Sequence, residues 1–173
     1  MNVAERIADY LASKGCTHAF GVVGGANLAL FSAISKRLEV ISTNHEQAAA
    51  GAAWSFYRIS GRIAPCLVTA GGGSVNAFTG VAAANFDSIP LLVISGNELT
   101  KFFKHQTRNI GFQGFDSAAA VKPFVKLSMR ADDALGALLM LDGLYKTALE
   151  PRRGAVWLDI PQDISTREYV SVG

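Results

Sequence analysis

The sequence has few charged residues. Only 17% of its 173 residues are Asp, Glu, Lys or Arg, whereas typical soluble domains contain roughly 25%. Half of the residues are hydrophobic, which excludes a disordered chain and predicts that part of the surface is buried against another chain. The formal net charge is only +2, and no basic stripe is present to collect phosphates, which excludes a dedicated nucleic-acid-binding protein.

Cysteine and long apolar runs are also scarce. The two cysteines, Cys16 and Cys66, form no CxxC pair, so the sequence predicts neither a zinc site nor a disulfide scaffold but two buried thiols in a reducing compartment. No apolar run reaches the roughly 18 residues of a membrane span. Near the start, Glu5, Arg6 and Asp9 stand where a signal peptide needs apolar residues. We therefore expect a cytoplasmic protein with no membrane partner.

Short apolar runs alternate with helical patterns along the chain. Strands are predicted at 18–22, 38–42, 64–69, 91–95, 124–128 and 155–159, and helices at 2–14, 26–35, 46–59, 75–86 and 132–149. The strands are apolar throughout, as parallel strands covered on both faces are. The sequence predicts one α/β domain over residues 2–163, with an open, mostly parallel sheet of about six strands, helices on both faces and a tail at 164–173. Residues 96–115 lack periodicity, and a loop of that length is usually functional.

Two predicted strands end in glycine clusters, which include Gly24 and Gly25 in one turn and Gly72 in the other. Ligands of open parallel sheets lie beyond the carboxyl ends of strands, where glycine lets a backbone approach closely and a helix amino terminus favours anions. Neither cluster is a GxxxxGK[ST] or GxGxxG motif, so a nucleotide P-loop is excluded and a nicotinamide site is disfavoured. Tight turns without a ligand are the alternative, and a sugar-phosphate or nucleotide module would rest on these turns alone.

Glu46 begins a predicted helix composed mainly of alanine and glycine. Small side chains allow another backbone or a ring to pack closely, and partial desolvation of the carboxyl group would favour its neutral form. The alternative is an acid that the helix dipole stabilises at the amino terminus.

Four motifs, in order along nearly the whole chain, resemble the amino-terminal, pyrimidine-binding domain of thiamine diphosphate enzymes, and most of all the acetolactate synthase-like group. These motifs are GVVGGANLALFSAI, NHEQAAAGAAWSFYRISGR, TAGGGSVNAFTGVAAANFDSIPLLVISGN and RRGAVWLDIPQDI. Three positions depart from the family pattern. Val23 and Gly72 stand where that group has proline, and Gly114 stands where an acidic residue is common.

The resemblance implies thiamine diphosphate as cofactor and Glu46 as the main catalytic residue. In this family the glutamate donates a hydrogen bond or a proton to a ring nitrogen of the aminopyrimidine, which activates the thiazolium carbon toward a 2-oxo acid. The implied activity is decarboxylation of a 2-oxo acid, ligation of the resulting carbanion to an acceptor, or both.

The same resemblance implies roles for five further residues. Gly24 and Gly25 would lie close to the cofactor or the substrate, and Gly72 close to the cofactor. Asn76 would cap the following helix and help to shape the pyrimidine pocket. Gln113 would line the substrate side as a second catalytic residue. An exposed amide in a mobile loop is the alternative for Gln113.

The sequence lacks the second half of such a site. Family members hold the diphosphate through Mg²⁺ bound by a GDG…N motif in another domain, and no GDG occurs here. The resemblance therefore implies that a partner chain with GDG…N holds Mg²⁺, in a hetero-oligomer with a dimeric core. The chain would be the small subunit of a split enzyme, as in the sulfopyruvate decarboxylase type, or a fragment of a longer one. A non-catalytic assembly partner of a complete thiamine enzyme is the alternative.

Histidine adds little to these hypotheses. A structural role is predicted for His18, at a strand start, and for His45, because its side chain points away from that of Glu46. His105 belongs to a local positive cluster that could attract an anionic substrate or could simply be solvated, made up of Lys101, Lys104, His105 and Arg108.

Overall fold

The computed structural model describes residues 1–104 and 108–169 of the chain. Within these ranges six strands form one sheet, in the order β2-β1-β3-β4-β6-β5, and every pair of neighbours is parallel. The strands are β1 (His18–Gly21), β2 (Glu39–Ser42), β3 (Cys66–Val68), β4 (Leu91–Asn97), β5 (Leu127–Arg130) and β6 (Ala155–Pro161). The predicted open parallel sheet is confirmed.

Helices cover both faces of the sheet, as the apolar strands predict. They are α1 (Val3–Ser13), α2 (Leu28–Ile34), α3 (Glu46–Ser60), α4 (Gly72–Phe86), α5 (Ser117–Val121), α6 (Ala134–Leu149) and α7 (Gln162–Ser165). Leu92 and Ile94 of β4 belong to the core cluster that contains residues of α1, α2 and α6. Their neighbours Leu91 and Val93 belong to the cluster with α3, α4 and α5. Alternate residues of one strand therefore supply two separate cores.

Two elements, β5 and α4, start three residues away from the predicted position. The strand predicted at 124–128 is displaced, because Pro123 lies in a 3₁₀ turn at Lys122–Phe124 and β5 begins only at Leu127. Proline fixes φ and lacks an amide hydrogen, so it favours this turn over a strand start. Helix α4 begins at Gly72, three residues before the predicted start at 75, so the second glycine cluster is part of the first helical turn.

The two ends of the described chain meet on one side of the fold. Asn2 and Glu5 form a capping box at the start of α1, with both hydrogen bonds at 2.9 Å. Asn2 also pairs with Glu168 in an isolated antiparallel bridge, so the segment after α7 contacts the start of α1.

Across residues 1–104 and 108–169, no helix combines the length and the apolar character that a bilayer span requires.

The connections between strands place both glycine turns at one edge of the sheet. Strand β1 lies between β2 and β3, so the chain leaves β1 in one direction and returns on the other side of it. In open parallel sheets the crevice at such a reversal, beyond the carboxyl ends of the strands, is the usual ligand site. The turn with Gly24 follows β1 and the turn with Gly71 follows β3, so the two turns flank this crevice.

Candidate functional site

Glu46 is the first residue of α3 and lies at the carboxyl edge of the sheet. Only 7% of its surface is exposed. The amide of Asn76 donates a hydrogen bond of 2.9 Å to its Oε2, while a Cβ atom added to Gly73 would lie 3.0 Å from its Oε1. One carboxylate oxygen is thus held by an amide, and the other packs against bare helix backbone.

Helices α3 and α4 approach each other very closely just behind this carboxyl group. A Cβ atom on Gly80 would come within 2.6 Å of the Ala50 Cβ, well inside any normal contact distance. Gly80 lies one helical turn after Asn76, and Ala50 lies one turn after Glu46. The close contact therefore sets the separation of the two side chains that meet in the site.

Thr69 lies between the two glycine turns. A Cβ atom on Gly24 would lie 2.6 Å from the Thr69 Oγ1, and one on Gly73 would lie 2.8 Å from its Cγ2. The Thr69 Oγ1 is buried and has no hydrogen-bond partner in the part of the chain that the structure describes. A buried hydroxyl without a partner is costly, so this atom is available to a polar group of a ligand.

The first glycine turn is held by a buried asparagine. Asn27 is 1% exposed; its Oδ1 accepts the Gly24 amide at 2.7 Å, and its Nδ2 donates to the Val22 carbonyl at 3.0 Å. On the far side of the turn, a side chain at Gly96 would collide with the Ala26 carbonyl. The turn is thus fixed from within and against the end of β4.

Gln113 lies beside the second glycine turn. The residue is exposed, but its backbone packs tightly, since a Cβ atom on Gly71 would lie 2.7 Å from the Gln113 carbonyl oxygen. Gly71 has a φ of +68°, a conformation that glycine adopts without strain. The loop that contains Gln113 and the glycine turn between β3 and α4 therefore form one side of the crevice.

The structure corrects the predicted role of Asn76 and shows no contact that would require glycine at positions 25 and 72. Asn76 does not cap α4, because the helix begins at Gly72 with Gly71 as its N-cap residue and no side-chain cap bond; its amide binds Glu46 instead. A Cβ atom on Gly25 or Gly72 would meet no atom of the described chain within 4 Å. Their proximity to a cofactor stays a prediction.

Sequence reasoning missed four residues that shape the site. Gly71 and Gly73 are required by close contacts, Thr69 supplies the free hydroxyl, and Asn27 holds the first turn. The run of three glycines was the available signal for the first two. The roles of Thr69 and Asn27 depend on contacts across strands, which spacing along the chain does not reveal.

The thiols are buried, as predicted, and both lack a disulfide partner. Burial raises the pKa of the Cys66 thiol far above its ordinary value, and the nearby charge of Glu46 raises it further. Burial likewise raises the pKa of Cys16 to about 11. Both thiols are therefore neutral at physiological pH, and Cys66 is an uncharged neighbour of the carboxyl group.

The histidines in the described ranges have structural contacts. His45 is the N-cap residue of α3, and its Nδ1 accepts the Gln47 amide at 3.2 Å. The ring centroid of His18 lies 4.8 Å from that of Phe56. His105, one member of the predicted positive cluster, lies outside the described residues.

No cluster of three or more His, Cys, Asp or Glu side chains that could hold a metal ion occurs within residues 1–104 and 108–169.

The geometry at the β1–β3 crevice fits a planar ring that carries nitrogen atoms. Glu46 provides a carboxyl oxygen at the buried end, and Thr69 provides a hydroxyl without a partner. Gly24 and Gly73 have no side chains to fill the space next to that hydroxyl. Hydrogen-bonding groups at a closely packed wall are suited to holding the edge of an aminopyrimidine.

Comparison with known proteins identifies the family of this chain. Residues 1–119 match the family described as "Thiamine pyrophosphate enzyme, N-terminal TPP binding domain". Over 170 residues the chain is 35% identical to the acetolactate synthase large subunit of Buchnera aphidicola subsp. Schizaphis graminum, a match that covers 96% of this chain and 29% of the relative. It is 32% identical over 162 residues to the acetolactate synthase of Bacillus subtilis, covering 93% of this chain and 28% of the relative.

A third relative, the acetolactate synthase isozyme 3 large subunit of Escherichia coli, is 34% identical over 163 residues, again covering 93% of this chain and 28% of the relative. The chain thus spans less than a third of the length of these curated relatives. The family match covers more than half of the chain and includes the Glu46 helix and both glycine turns. The chain belongs to the thiamine pyrophosphate enzyme family, in which it corresponds to the N-terminal TPP-binding domain.

Proposed function

We propose that the chain supplies the pyrimidine side of a thiamine diphosphate site, with Glu46 as its catalytic carboxyl group. The observation that carries this proposal is the placement of Glu46, which is almost fully buried and bound by Asn76 beside the glycine backbone of α4. Thiamine diphosphate, when bound, supplies the electron sink that decarboxylation of a 2-oxo acid requires.

Each residue of the crevice has a distinct part in this proposal. The carboxyl group of Glu46 holds a proton at a ring nitrogen, and Asn76 fixes its orientation through Oε2. The hydroxyl of Thr69 is free to bind a second polar atom of the ring edge. A side chain at Gly73 would press against Oε1, so glycine at this position leaves that oxygen room to meet the ring nitrogen.

A partner is proposed to complete the site, because the sequence contains no GDG…N motif for the diphosphate and Mg²⁺. This partner is a diphosphate-binding chain or domain in a hetero-oligomer with a dimeric core. Its docking surface on this chain is the outer face of α4, a helix that carries no charged residue. The face consists of the exposed residues Val75, Thr79, Ala83 and Phe86.

The proposed reaction is decarboxylation of a 2-oxo acid, with or without ligation of the product to an acceptor. The relatives named acetolactate synthase support this class. Gln113 is proposed to face the substrate, because its loop lies beside the turn that precedes Asn76. The cytoplasmic location stays a prediction from the sequence.

Replacing the carboxyl group of Glu46 by an amide tests the catalytic part of the proposal. In the assembled enzyme, Glu46→Gln is expected to slow exchange of the thiazolium C2 proton for deuterium by about 10²-fold or more, the typical contribution of a positioned acid or base. Glu39→Gln, at an exposed carboxylate on β2, is the matched control and should leave the rate unchanged. Normal exchange in Glu46→Gln would remove Glu46 from the mechanism and favour a non-catalytic assembly role.

Titration of thiamine diphosphate and Mg²⁺ tests the need for a partner. Calorimetry on this chain alone is expected to detect negligible binding, because the diphosphate site is absent. Addition of a chain that carries GDG…N should produce tight binding. Tight binding by the isolated chain would contradict the split-site proposal.

A further inference from the structure

The segment that carries Gln113 is a short closed turn. Ile110 and Gly114 form an isolated antiparallel bridge, with reciprocal amide–carbonyl hydrogen bonds of 2.9 Å. Gly111 within the turn has a φ of +63°. Because Gln113 contacts Gly71 through its backbone carbonyl, any movement of this turn moves Gln113 relative to the crevice.

The side chain of Glu98 fills the inner side of this turn. Its Oε1 accepts a long hydrogen bond of 3.4 Å from the Gln113 amide. A Cβ atom on Gly111 would lie 2.6 Å from its Oε2, and one on Gly114 would lie 2.6 Å from its Cγ. Two glycines of the turn therefore leave room for one glutamate, which lies along the backbone from residue 111 to residue 114.

The base of this glutamate is rigidly anchored. The backbone amide of Glu98 donates to the Asn97 Oδ1 at 2.9 Å. The Asn97 Nδ2 donates to the Phe115 carbonyl at 2.9 Å and to the Asp159 Oδ2 at 2.7 Å. Asn97 and Asp159 are 1% and 0% exposed. The end of β4 and the end of the turn are thus tied to the same buried amide.

The acid at position 98 also accounts for the missing acid at position 114. A side chain at Gly114 would collide with the Glu98 Cγ and with the Ile110 carbonyl, 2.7 Å away. A carboxylate at position 114 and the side chain of Glu98 therefore cannot share this space, and the acid present is Glu98, which directly follows β4.

We infer that Glu98 is a positioning residue, whose carboxylate holds the 110–114 turn against Gly71 and so fixes Gln113 at the substrate side of the crevice. The positioning follows from the contacts of Glu98 alone. Its effect on substrate rests on the proposed function.

Three variants of Glu98 separate the hydrogen-bonding shape of the side chain from its charge and length. Glu98→Gln keeps the length and the acceptor oxygen, Glu98→Asp keeps the charge but is one methylene shorter, and Glu98→Ala removes the group. Glu39→Ala, which removes an exposed carboxylate of β2, is the matched control.

Amide hydrogen exchange of residues 110–115 in the full chain, without cofactor, is the first measurement. Glu98→Ala and Glu98→Asp are expected to speed exchange about tenfold, because local opening becomes easier when the turn loses its packing. Glu98→Gln and Glu39→Ala should remain within about threefold of the unmodified chain, a range set by modest differences in hydrogen bonding. Unchanged exchange in both Glu98→Ala and Glu98→Asp would overturn the inference.

Steady-state kinetics of the assembled enzyme, with pyruvate as the probe 2-oxo acid, is the second measurement. Glu98→Ala is expected to raise KM about tenfold with kcat within about twofold, since a displaced Gln113 weakens substrate binding rather than chemistry. Glu98→Gln should restore KM. A roughly tenfold fall of kcat in Glu98→Ala with KM unchanged would refute the assigned role. If the unmodified assembly does not turn over pyruvate, the proposed reaction fails for this substrate while the exchange measurement still decides the positioning by Glu98.

Discussion

At the scale of single residues, the site requires a glycine at position 73, where any side chain would collide with its neighbours. Gly73 has no side chain to push the Glu46 Oε1 or the Thr69 methyl group, whereas the adjacent Gly72 faces open space. Both glycines belong to the first turn of α4. The requirement for glycine is therefore specific to one of two neighbouring positions.

Alanine substitutions at these two positions should have different effects. Gly73→Ala is expected to lower the free energy of unfolding by about 1–2 kcal/mol, because overpacking forces Glu46 and Thr69 to move. Gly72→Ala, the matched control, should change it by less than ~0.5 kcal/mol or raise it, since alanine favours a helix. Urea denaturation of the chain measures both values. Equal effects at the two positions would contradict the packing that the structure gives to Gly73.

At the scale of secondary-structure elements, a buried acid joins β4, β6 and α5. Asp159 of β6 accepts hydrogen bonds from Ser95 and Asn97 of β4, at 2.5 and 2.7 Å, and Ser117 of α5 is linked to Ser95 at 3.4 Å. Burial raises the pKa of Asp159 to about 6, although these hydrogen bonds and the charge of Arg130 oppose the rise. The fold therefore binds a proton here that the unfolded chain releases near its ordinary pKa of 3.8.

This shift predicts how stability changes with pH. Between about pH 4 and pH 6 the folded state holds more protons at Asp159 than the unfolded state, so this residue lowers stability as pH rises, by on the order of 2 kcal/mol in total. Asp159→Asn should remove that decline, because an amide can accept from Asn97 and donate to Ser95. Urea denaturation at several pH values measures the difference between the two curves.

Asp87→Asn, at an exposed carboxylate after α4, is the control and should leave the pH dependence unchanged. A difference between Asp159→Asn and the unmodified chain that is constant from pH 4 to pH 7 would contradict the shifted pKa.

The sequence was sufficient to predict the sheet, most helices and the position of Glu46. Continuous apolar runs such as 91–94 identify parallel strands directly, and Glu46 stands at a clear boundary between polar and helical segments. Spacing could not reveal that Pro123 moves β5 toward the carboxyl terminus. It also could not reveal the Glu98 contacts, because they join residues 13 to 16 positions apart through a loop without periodicity.

At the scale of the whole molecule, the proposed docking surface on α4 lies on the same face of the sheet as α3, the helix that begins at Glu46. Val75 and Phe86 of α4 are 51% and 64% exposed, and α4 packs in the core cluster on the α3 side of the sheet. Leu139 of α6 is similarly exposed, at 65%, on the opposite side. Exposed apolar residues thus occur on both faces, and Val75 of α4 directly precedes Asn76 in the first turns of the helix.

Introducing an aspartate on one face of the sheet or on the other tests whether the partner binds at the proposed docking surface. Val75→Asp is expected to weaken assembly with the diphosphate-binding partner at least tenfold, because burying an unpaired carboxylate opposes association. Leu139→Asp, the matched control, should assemble normally. Analytical ultracentrifugation of the mixed chains measures assembly, and circular dichroism of each chain alone checks that it folds. Equal assembly by both variants would place the partner elsewhere.

The close approach of Gly80 to Ala50 restricts how this protein can diverge. That contact and the hydrogen bond from Asn76 to Glu46 stand one helical turn apart on the same pair of helices. Any enlargement of residue 80 would spread the helix starts and draw the amide away from the acid. Divergent sequences are therefore expected to keep glycine at position 80, or to exchange Ala50 for glycine when residue 80 becomes larger.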